Sequence, residues 1–566
     1  MTKRWLYRDL PPVDQVKALT NALGTHPAIC SLLVQKGITQ FDQAKAYFRP
    51  SLAALHDPFT MKDMGKAVHR LGQAIAQKEP ILVYGDYDVD GTTSVAMFYG
   101  YLKTLGAAVE FYIPDRYAEG YGLSMQAIKW AAQQGFKLIV SLDCGIKATA
   151  CIQEANALRI DAIVCDHHEP GEELPPAYAI LDPKQQNCPY PTKELSGCGV
   201  GFKLLQGLTQ QQQLPQERLY DYLDLVGVSI ACDIVPIVGE NRILAYHGLQ
   251  KLNTAPRTGL QALMEVSNLT PPISISQLVF SLGPRINAAG RMEHARLAAS
   301  LLLAADPTEA AHLAHTLNQK NSLRKNVDST TTEEAIAMIG ADPRLAQAKT
   351  TVLFKEDWHK GVIGIVAARC IEQYYRPTVI LTAAHGKATG SARSVAGYNV
   401  YEALHNCADL LDQYGGHAHA AGLTLPLAHV MAFQQRFEEV VARSITDELL
   451  IPPQEIDLPL RLEEINFKFY NILKQMAPFG NGNMKAVFAT DHVLAKSYSI
   501  LKEQHLKLYV YQPGTDHVLE AIGFDLAHYE PLVQAQQPFR MLYTIGENNY
   551  LGERSLQLNV KDLQAM

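Results

Sequence analysis

Apolar runs first recur at a regular interval from residue 81. Five short, β-rich stretches stand at 81–84, 109–113, 138–142, 162–165 and 179–181, with helix-like segments between them. Strand and helix in alternation imply a parallel sheet. Ahead of it, residues 1 to about 70 read as short amphipathic helices broken by Pro11, Pro12, Pro50 and Pro58, a cap packed on the first large domain. Residues 196 to about 300 look helical, and the charged, Ala-rich stretch ending at Gly340 reads as one long helix linking two domains. A second α/β unit follows, with strands at 351–354 and 378–381 around a helix over 361–374. The C-terminal part alternates at 486–489, 506–511, 518–523, 539–545 and 557–560, which suggests a small β-barrel of OB type.

The strand ends carry the chemistry. The first runs into Gly85-Asp86-Tyr87-Asp88-Val89-Asp90-Gly91, the third into Asp143-Cys144-Gly145, and the fourth into Asp166-His167-His168. Open α/β sheets place ligands at the carboxyl ends of their strands. Carboxylates this close repel one another, and hard divalent cations remove that cost. A polar Asp/Gly turn is the plainer reading of the first motif. One strand ending in Asp is commonplace, but three delivering Asp, Asp and Asp-His-His to one edge form a site. Asp233 ends an apolar helical run and is either a helix-end polar residue or a ligand. The segment from Gly283 to Arg291 reads as a glycine-bounded loop carrying Arg285 and Arg291, arginines that either bind phosphate or sit solvated at the surface. Gly390-Ser391-Ala392-Arg393 and Gly415-Gly416-His417 are small-residue loops that either cradle phosphate or make tight turns. Tyr509, Tyr511, Phe524 and Tyr543 of the barrel either stack bases or fill its core.

Composition changes little. The 566 residues leave room for several domains, and 47% hydrophobic with 19% charged residues describes a folded chain. A net charge of -7 excludes wholesale basic coating but not a local basic channel. The nine cysteines include no C-x-x-C pair, so neither zinc nor a disulfide framework is indicated. The N-terminus lacks an apolar signal core and no run of 18 apolar residues occurs, so a cytoplasmic location without membrane partners is expected.

The ordered set of Gly85–Gly91, Asp143-Cys144-Gly145, Asp166-His167-His168, Asp233 and Gly415-Gly416-His417-Ala418-His419-Ala420-Ala421-Gly422 resembles the DHH/DHHA1 phosphoesterases. Ile113-Pro114-Asp115-Arg116-Tyr117, Gly120-Tyr121-Gly122-Leu123, Arg285–Arg291, Trp358–Gly364 and Ala477-Pro478-Phe479-Gly480 are similar to the branch of that superfamily made of single-stranded-DNA-specific 5′→3′ exonucleases. The resemblance implies a parallel-sheet DHH domain (71–305, after the 1–70 cap), a connecting helix (306–345), a smaller α/β DHHA1 domain (346–450) and an OB-like barrel (451–566). It also implies two divalent ions, Mn2+ before Mg2+. Asp86 and Asp88 would serve one ion and Asp90, His167 and Asp233 the other, with Asp143 bridging. Asp166 and His168 would orient ligands or meet the substrate. Some small members of the superfamily have a histidine where Tyr84 stands, which bears on how Asp86 and Asp88 divide between the ions. Arg116, Ser391 and Arg393 would hold a terminal 5′-phosphate, with Arg285, Arg291 and His417 adding contacts. The implied activity is release of 5′-mononucleotides in DNA repair and recombination, alongside a helicase and a single-strand-binding protein. The rivals are a small-substrate phosphoesterase and a catalytically silent single-strand-binding scaffold.

Overall fold

The structure, a computed structural model, describes residues 3–550 and 552–566. It divides into two units, each discontinuous in sequence: 49–325 with 478–484, and 1–48 with 326–477 and 485–566.

The first unit is built on a five-stranded, all-parallel sheet in the order Val109–Tyr112, Ile81–Gly85, Leu138–Leu142, Asp161–Cys165, Ala179–Leu181. The central strands are buried on both faces, which is why they read as continuous apolar runs and not as alternating ones. Two apolar layers cover the sheet, one containing Val83, Phe98 and Val140, the other Leu82, Ile139 and Val164. Helices Val89–Thr104, Gly197–Gln211 and Leu223–Cys232 belong to the first of these layers and bring their ends to the sheet's carboxyl edge.

The segment expected as a loop around Arg285 and Arg291 is the helix Gly283–Met292. Pro284 directly follows the π-helical turn Leu278–Leu282, with which this helix is continuous; such irregular turns accommodate a residue that lacks an N–H. Ile286, Ala288 and Ala289 are buried. The bounding glycines gave the impression of a turn, whereas burial of this face decides for helix. Helix Pro307–Ala341, 35 residues long, then passes from one unit into the other.

In the second unit a mixed sheet runs Gln413–His417, Ala420–Pro426, Lys387–Arg393, Thr378–Ala384, Thr351–Phe354. The small-residue segments expected as loops at 390–394 and 415–422 are therefore largely strands. Their glycines and alanines alternate between an open face and a packed one, so they lack the β-branched signature that marks a strand. The C-terminal strands Phe488–Leu501, His505–Tyr511, Leu519–Gly523, Glu553–Ala565 and Phe539–Tyr550 close on one another as a five-stranded barrel. Tyr543 is fully buried in it and shares a 2.8 Å hydrogen bond with the Thr490 hydroxyl, while Tyr509 and Phe524 are exposed.

The first residues depart from the expected cap. Besides three helices they form the strand Arg4–Tyr7, which pairs parallel with Pro453–Ile456. Gln35 Nε2 donates to the Asp457 carbonyl at 2.9 Å. An amphipathic face announces that it is covered but not by what, and its cover is some 450 positions away in sequence. Among the described residues no helix is long and apolar enough to cross a membrane.

Candidate metal centre and phosphate face

Asp86 follows the first strand and is fully buried; its Oδ1 faces the Gly122 amide at 3.5 Å and its Oδ2 has no hydrogen-bond partner. Asp88 caps the next helix, accepting from the Gly91 amide at 3.1 Å. Gly91 is needed for this turn, because a Cβ there would lie 2.4 Å from the Asp86 carbonyl oxygen. Asp90, in the first turn of that helix, points across to the amino end of helix Gly197–Gln211. Its Oδ2 accepts from the Gly197 amide at 2.6 Å, and its Oδ1 from the Cys198 amide at 2.8 Å and the Ser229 hydroxyl at 2.7 Å.

Asp143 holds a left-handed backbone, φ 61°, which an aspartate tolerates better than most residues. Its amide donates to the Cys165 carbonyl at 2.9 Å, tying the third strand's end to the fourth's. Its Oδ1 lies 3.2 Å from His167 Nε2, which is also 3.5 Å from Asp233 Oδ2 and 3.8 Å from Asp90 Oδ2. Asp233 caps the Leu223–Cys232 helix at its C-terminal end. Ligand atoms of Asp90, His167 and Asp233 lie within 4.8 Å of one another, as do those of Asp143, His167 and His168.

Asp166 organises the histidines. Its Oδ1 accepts from His168 Nδ1 at 2.7 Å and from the His167 amide at 2.8 Å, and its Oδ2 from the Ile146 amide at 2.9 Å. Burial pushes its pKa up, but the His168 hydrogen bond and charge outweigh burial and hold it at about 2. Burial lowers the His168 pKa, yet the same partnership raises it overall. Tyr121 bridges the region, its hydroxyl 3.2 Å from His168 Nε2 and 3.1 Å from the Asp143 carbonyl.

The residues fit divalent cations. Burial first, and neighbouring carboxylates second, push Asp86, Asp88, Asp143 and Asp233 above the ordinary carboxylate range. Burial lowers His167. Asp86 Oδ2, His167 Nε2 and Asp233 Oδ2 are buried without a hydrogen-bond partner. Acceptors that crowd together, repel and lack donors are what a bound cation satisfies. Tyr84 takes no part: its hydroxyl donates to the Gly122 carbonyl at 2.7 Å and its ring stacks on Tyr112.

Arg116 lies over the Tyr87 ring, 4.9 Å from its centre. The Tyr117 hydroxyl donates to the Arg291 carbonyl. Burial pushes the Tyr87 phenol up to about 12, against the pull of both Arg116 and Arg291. Arg285 is anchored within the unit. Its Nε and Nη1 donate to Asn318 at 3.0 Å and to the Ser281 carbonyl at 2.8 Å, tying two helices together. A helical setting lets its fork reach i−4 and a neighbouring helix, which a loop would not.

In the other unit Ser391, Arg393 and His417 come to one sheet face. Ser391 pairs with Gly422 and Gly422 with Gly415, while Arg393 pairs with Ala420 and Ala420 with His417. Paired residues share a face, and so do positions two apart on a strand. Arg393 Nη1 donates to Ser391 Oγ at 2.9 Å. The amino end of helix Ile363–Gln373 abuts this face: a Cβ on Gly364 would lie 2.8 Å from Arg393 Nη2 and 3.0 Å from Ser391 Oγ. Backbone donors, a guanidinium and a hydroxyl make an anion site. Sequence reasoning missed Ser229 and the Gly197 and Cys198 amides, and it named Tyr121 and Gly364 only within motifs, with no role of their own. Only Ser196-Gly197-Cys198-Gly199, a cap followed by small residues, marked a helix start fit for close approach.

These features define a phosphoesterase of the DHH type: residues 80–230 match the DHH family, N-terminal domain, and 347–443 the DHHA1 domain. Residues 456–562 match the RecJ OB domain. The single-stranded-DNA-specific exonuclease RecJ of Bacillus subtilis is 37% identical over 557 residues, covering 98% of this chain and 70% of the relative. That of Escherichia coli is 33% identical, covering 88% and 89%. The crystal structure of Thermus thermophilus RecJ in complex with Mn2+ superposes with a TM-score of 0.86 at 29% identity, covering 100% of this chain and 80% of that one. The chain belongs to the RecJ family.

Proposed function

We propose that this chain degrades single-stranded DNA from the 5′ end by metal-dependent phosphodiester hydrolysis, releasing 5′-mononucleotides. The observation that carries the reading is the convergence of partnerless, mutually repelling ligand atoms at one sheet edge, in a chain of the RecJ family. Asp86 and Asp88 would hold one divalent cation and Asp90, His167 and Asp233 a second, with Asp143 shared. When bound, such a pair of ions supplies a water-derived nucleophile and charge stabilisation on both sides of the phosphorus. The remaining work belongs to the protein. Asp90 is aimed by two helix amides and Ser229, which fixes its free lone pairs. Asp166 keeps His168 oriented toward Tyr121, where its imidazole would meet the substrate phosphate. Arg291 would add a contact to substrate phosphate, and Arg116 would serve the terminal 5′-phosphate. Ser391, Arg393, His417 and the helix end behind Gly364 hold the terminal 5′-phosphate and so set the polarity.

Mn2+ suits a site containing a histidine better than Mg2+ does, and Mg2+ remains usable. RecJ structures with each of these ions are among the relatives. Tyr509 and Phe524, exposed on the barrel, offer stacking surfaces for unpaired bases. The setting is cytoplasmic DNA repair and recombination, with a helicase and a single-strand-binding protein to supply and coat the strand. The test is digestion of 5′- and 3′-labelled single and double strands with Mn2+, Mg2+ or chelator. Early release of the 5′ label from single strands alone, dependent on metal, is expected; cleavage limited to oligonucleotides of a few residues would overturn it in favour of a small-substrate phosphoesterase.

A further inference from the structure

Ile234, immediately after Asp233, has a left-handed backbone with φ 60° and a 59% exposed side chain. A β-branched residue is strained there and stays only when its surroundings insist. The constraint comes from residues 478–484, the late segment that belongs to the parallel-sheet unit. Asn481 Nδ2 donates to the Ile234 carbonyl at 2.7 Å, and the Ile237 amide donates to the Asn481 carbonyl at 2.7 Å. Asn481 thus grips the 234–237 turn at both ends. The gripping segment is itself braced. Gly480 and Asn483 exchange backbone bonds at 3.1 and 2.9 Å, and the buried Asn483 side chain donates to the Pro478 carbonyl at 2.8 Å. Its glycines permit the contact: a Cβ on Gly480 would lie 2.5 Å from Ile237 Cδ1, and Gly482 has φ 71°.

We infer that Asn481 is a positioning residue for the metal centre, holding Ile234 in its strained conformation so that Asp233 is presented to the cation beside His167. This rests on the reading of Asp233 as a metal ligand. Asp233 is the C-cap of its helix, its amide still donating to the Ser229 carbonyl at 2.9 Å, and the chain leaves the helix at Ile234. Without the Asn481 side chain, Ile234 is free to relax to an ordinary conformation, and Asp233 turns away from His167. The side chain of Asn481 is exposed, so its removal leaves the core intact.

The test is Mn2+ titration of the full-length protein by calorimetry, with single-strand hydrolysis measured against Mn2+ concentration in parallel. Asn481→Ala and the isosteric Asn481→Leu are expected to weaken Mn2+ binding about tenfold, the usual scale for an outer-shell partner. Hydrolysis should return at raised Mn2+, and circular dichroism should be unchanged. Ile234→Gly, which takes a left-handed backbone without strain, is expected to recover most of the lost affinity when combined with Asn481→Ala. Asp233→Ala separates the two readings. If Asp233→Ala leaves Mn2+ binding unchanged, the ligand assignment is wrong. If Asp233→Ala weakens binding and neither Asn481 variant does, the positioning role is overturned. If Ile234→Gly brings no recovery, strain at Ile234 is not the means and the inference fails in that form.

Discussion

At the scale of single residues, Asp143 joins several constraints. It sits in a left-handed turn, touches His167 and is pushed above the carboxylate range by burial and by Asp90. Asp143→Ala is expected to reduce hydrolysis to background while single-strand affinity, read by fluorescence anisotropy, stays within about twofold, since strand affinity rests on stacking and backbone charge. The repulsion is also a cost to the metal-free fold. Asp143→Asn should raise the melting temperature of chelator-treated protein by a few degrees, on the order of 1 kcal/mol, because active-site residues are kept at the expense of stability. Removing Arg393 tests the anion face. A charged hydrogen bond is worth about 1.5–3 kcal/mol, so Arg393→Ala should lower the preference for 5′-phosphorylated over 5′-hydroxyl strands by about tenfold or more, measured as kcat/KM. Asp86, Asp88, Asp143 and Asp166 were legible because strand-end carboxylates are local in sequence. Ser229 was not, since a serine inside an apolar helix gives no sign that it will reach Asp90.

At the scale of elements, the centre depends on how closely helix Gly197–Gln211 approaches the turn after the third strand. A Cβ on Gly197 would lie 2.5 Å from the Asp143 Cβ and 2.7 Å from its Cα. Neither contact is with a flexible side-chain end, so the backbone must shift. Gly197→Ala is expected to cost about 1–3 kcal/mol in chemical denaturation and to abolish Mn2+-dependent stabilisation, because the shifted helix also withdraws an amide from Asp90. Strands of the parallel sheet were readable from their apolar runs. The Gly283–Met292 helix and the Lys387–Arg393 and Ala420–Pro426 strands were not. Their glycines and small residues serve close packing or an open ligand face, and such positions look like turns when only local pattern is weighed.

At the scale of the whole molecule, carboxylates that repel when bare and cohere around a cation make the fold a metal sensor. At a free Mn2+ concentration about a hundredfold above its dissociation constant, stability should rise by roughly 2.7 kcal/mol, seen as a higher melting temperature that chelator reverses. The succession of sheet, long helix, second sheet and barrel could be read along the chain. What could not be read is its return: residues 478–484 rejoin a unit the chain left at residue 325, and Arg4–Tyr7 waits for Pro453–Ile456. Pattern in a sequence is local, and such pairings are settled only in three dimensions. That return has a bearing on the nascent enzyme. Roughly 150 further residues, on the order of ten to thirty seconds of translation, separate the last of the DHH portion from the segment that steadies Asp233. A ribosome still carrying this polypeptide therefore displays a nuclease domain not yet fully armed, and competence arrives only near the end of synthesis.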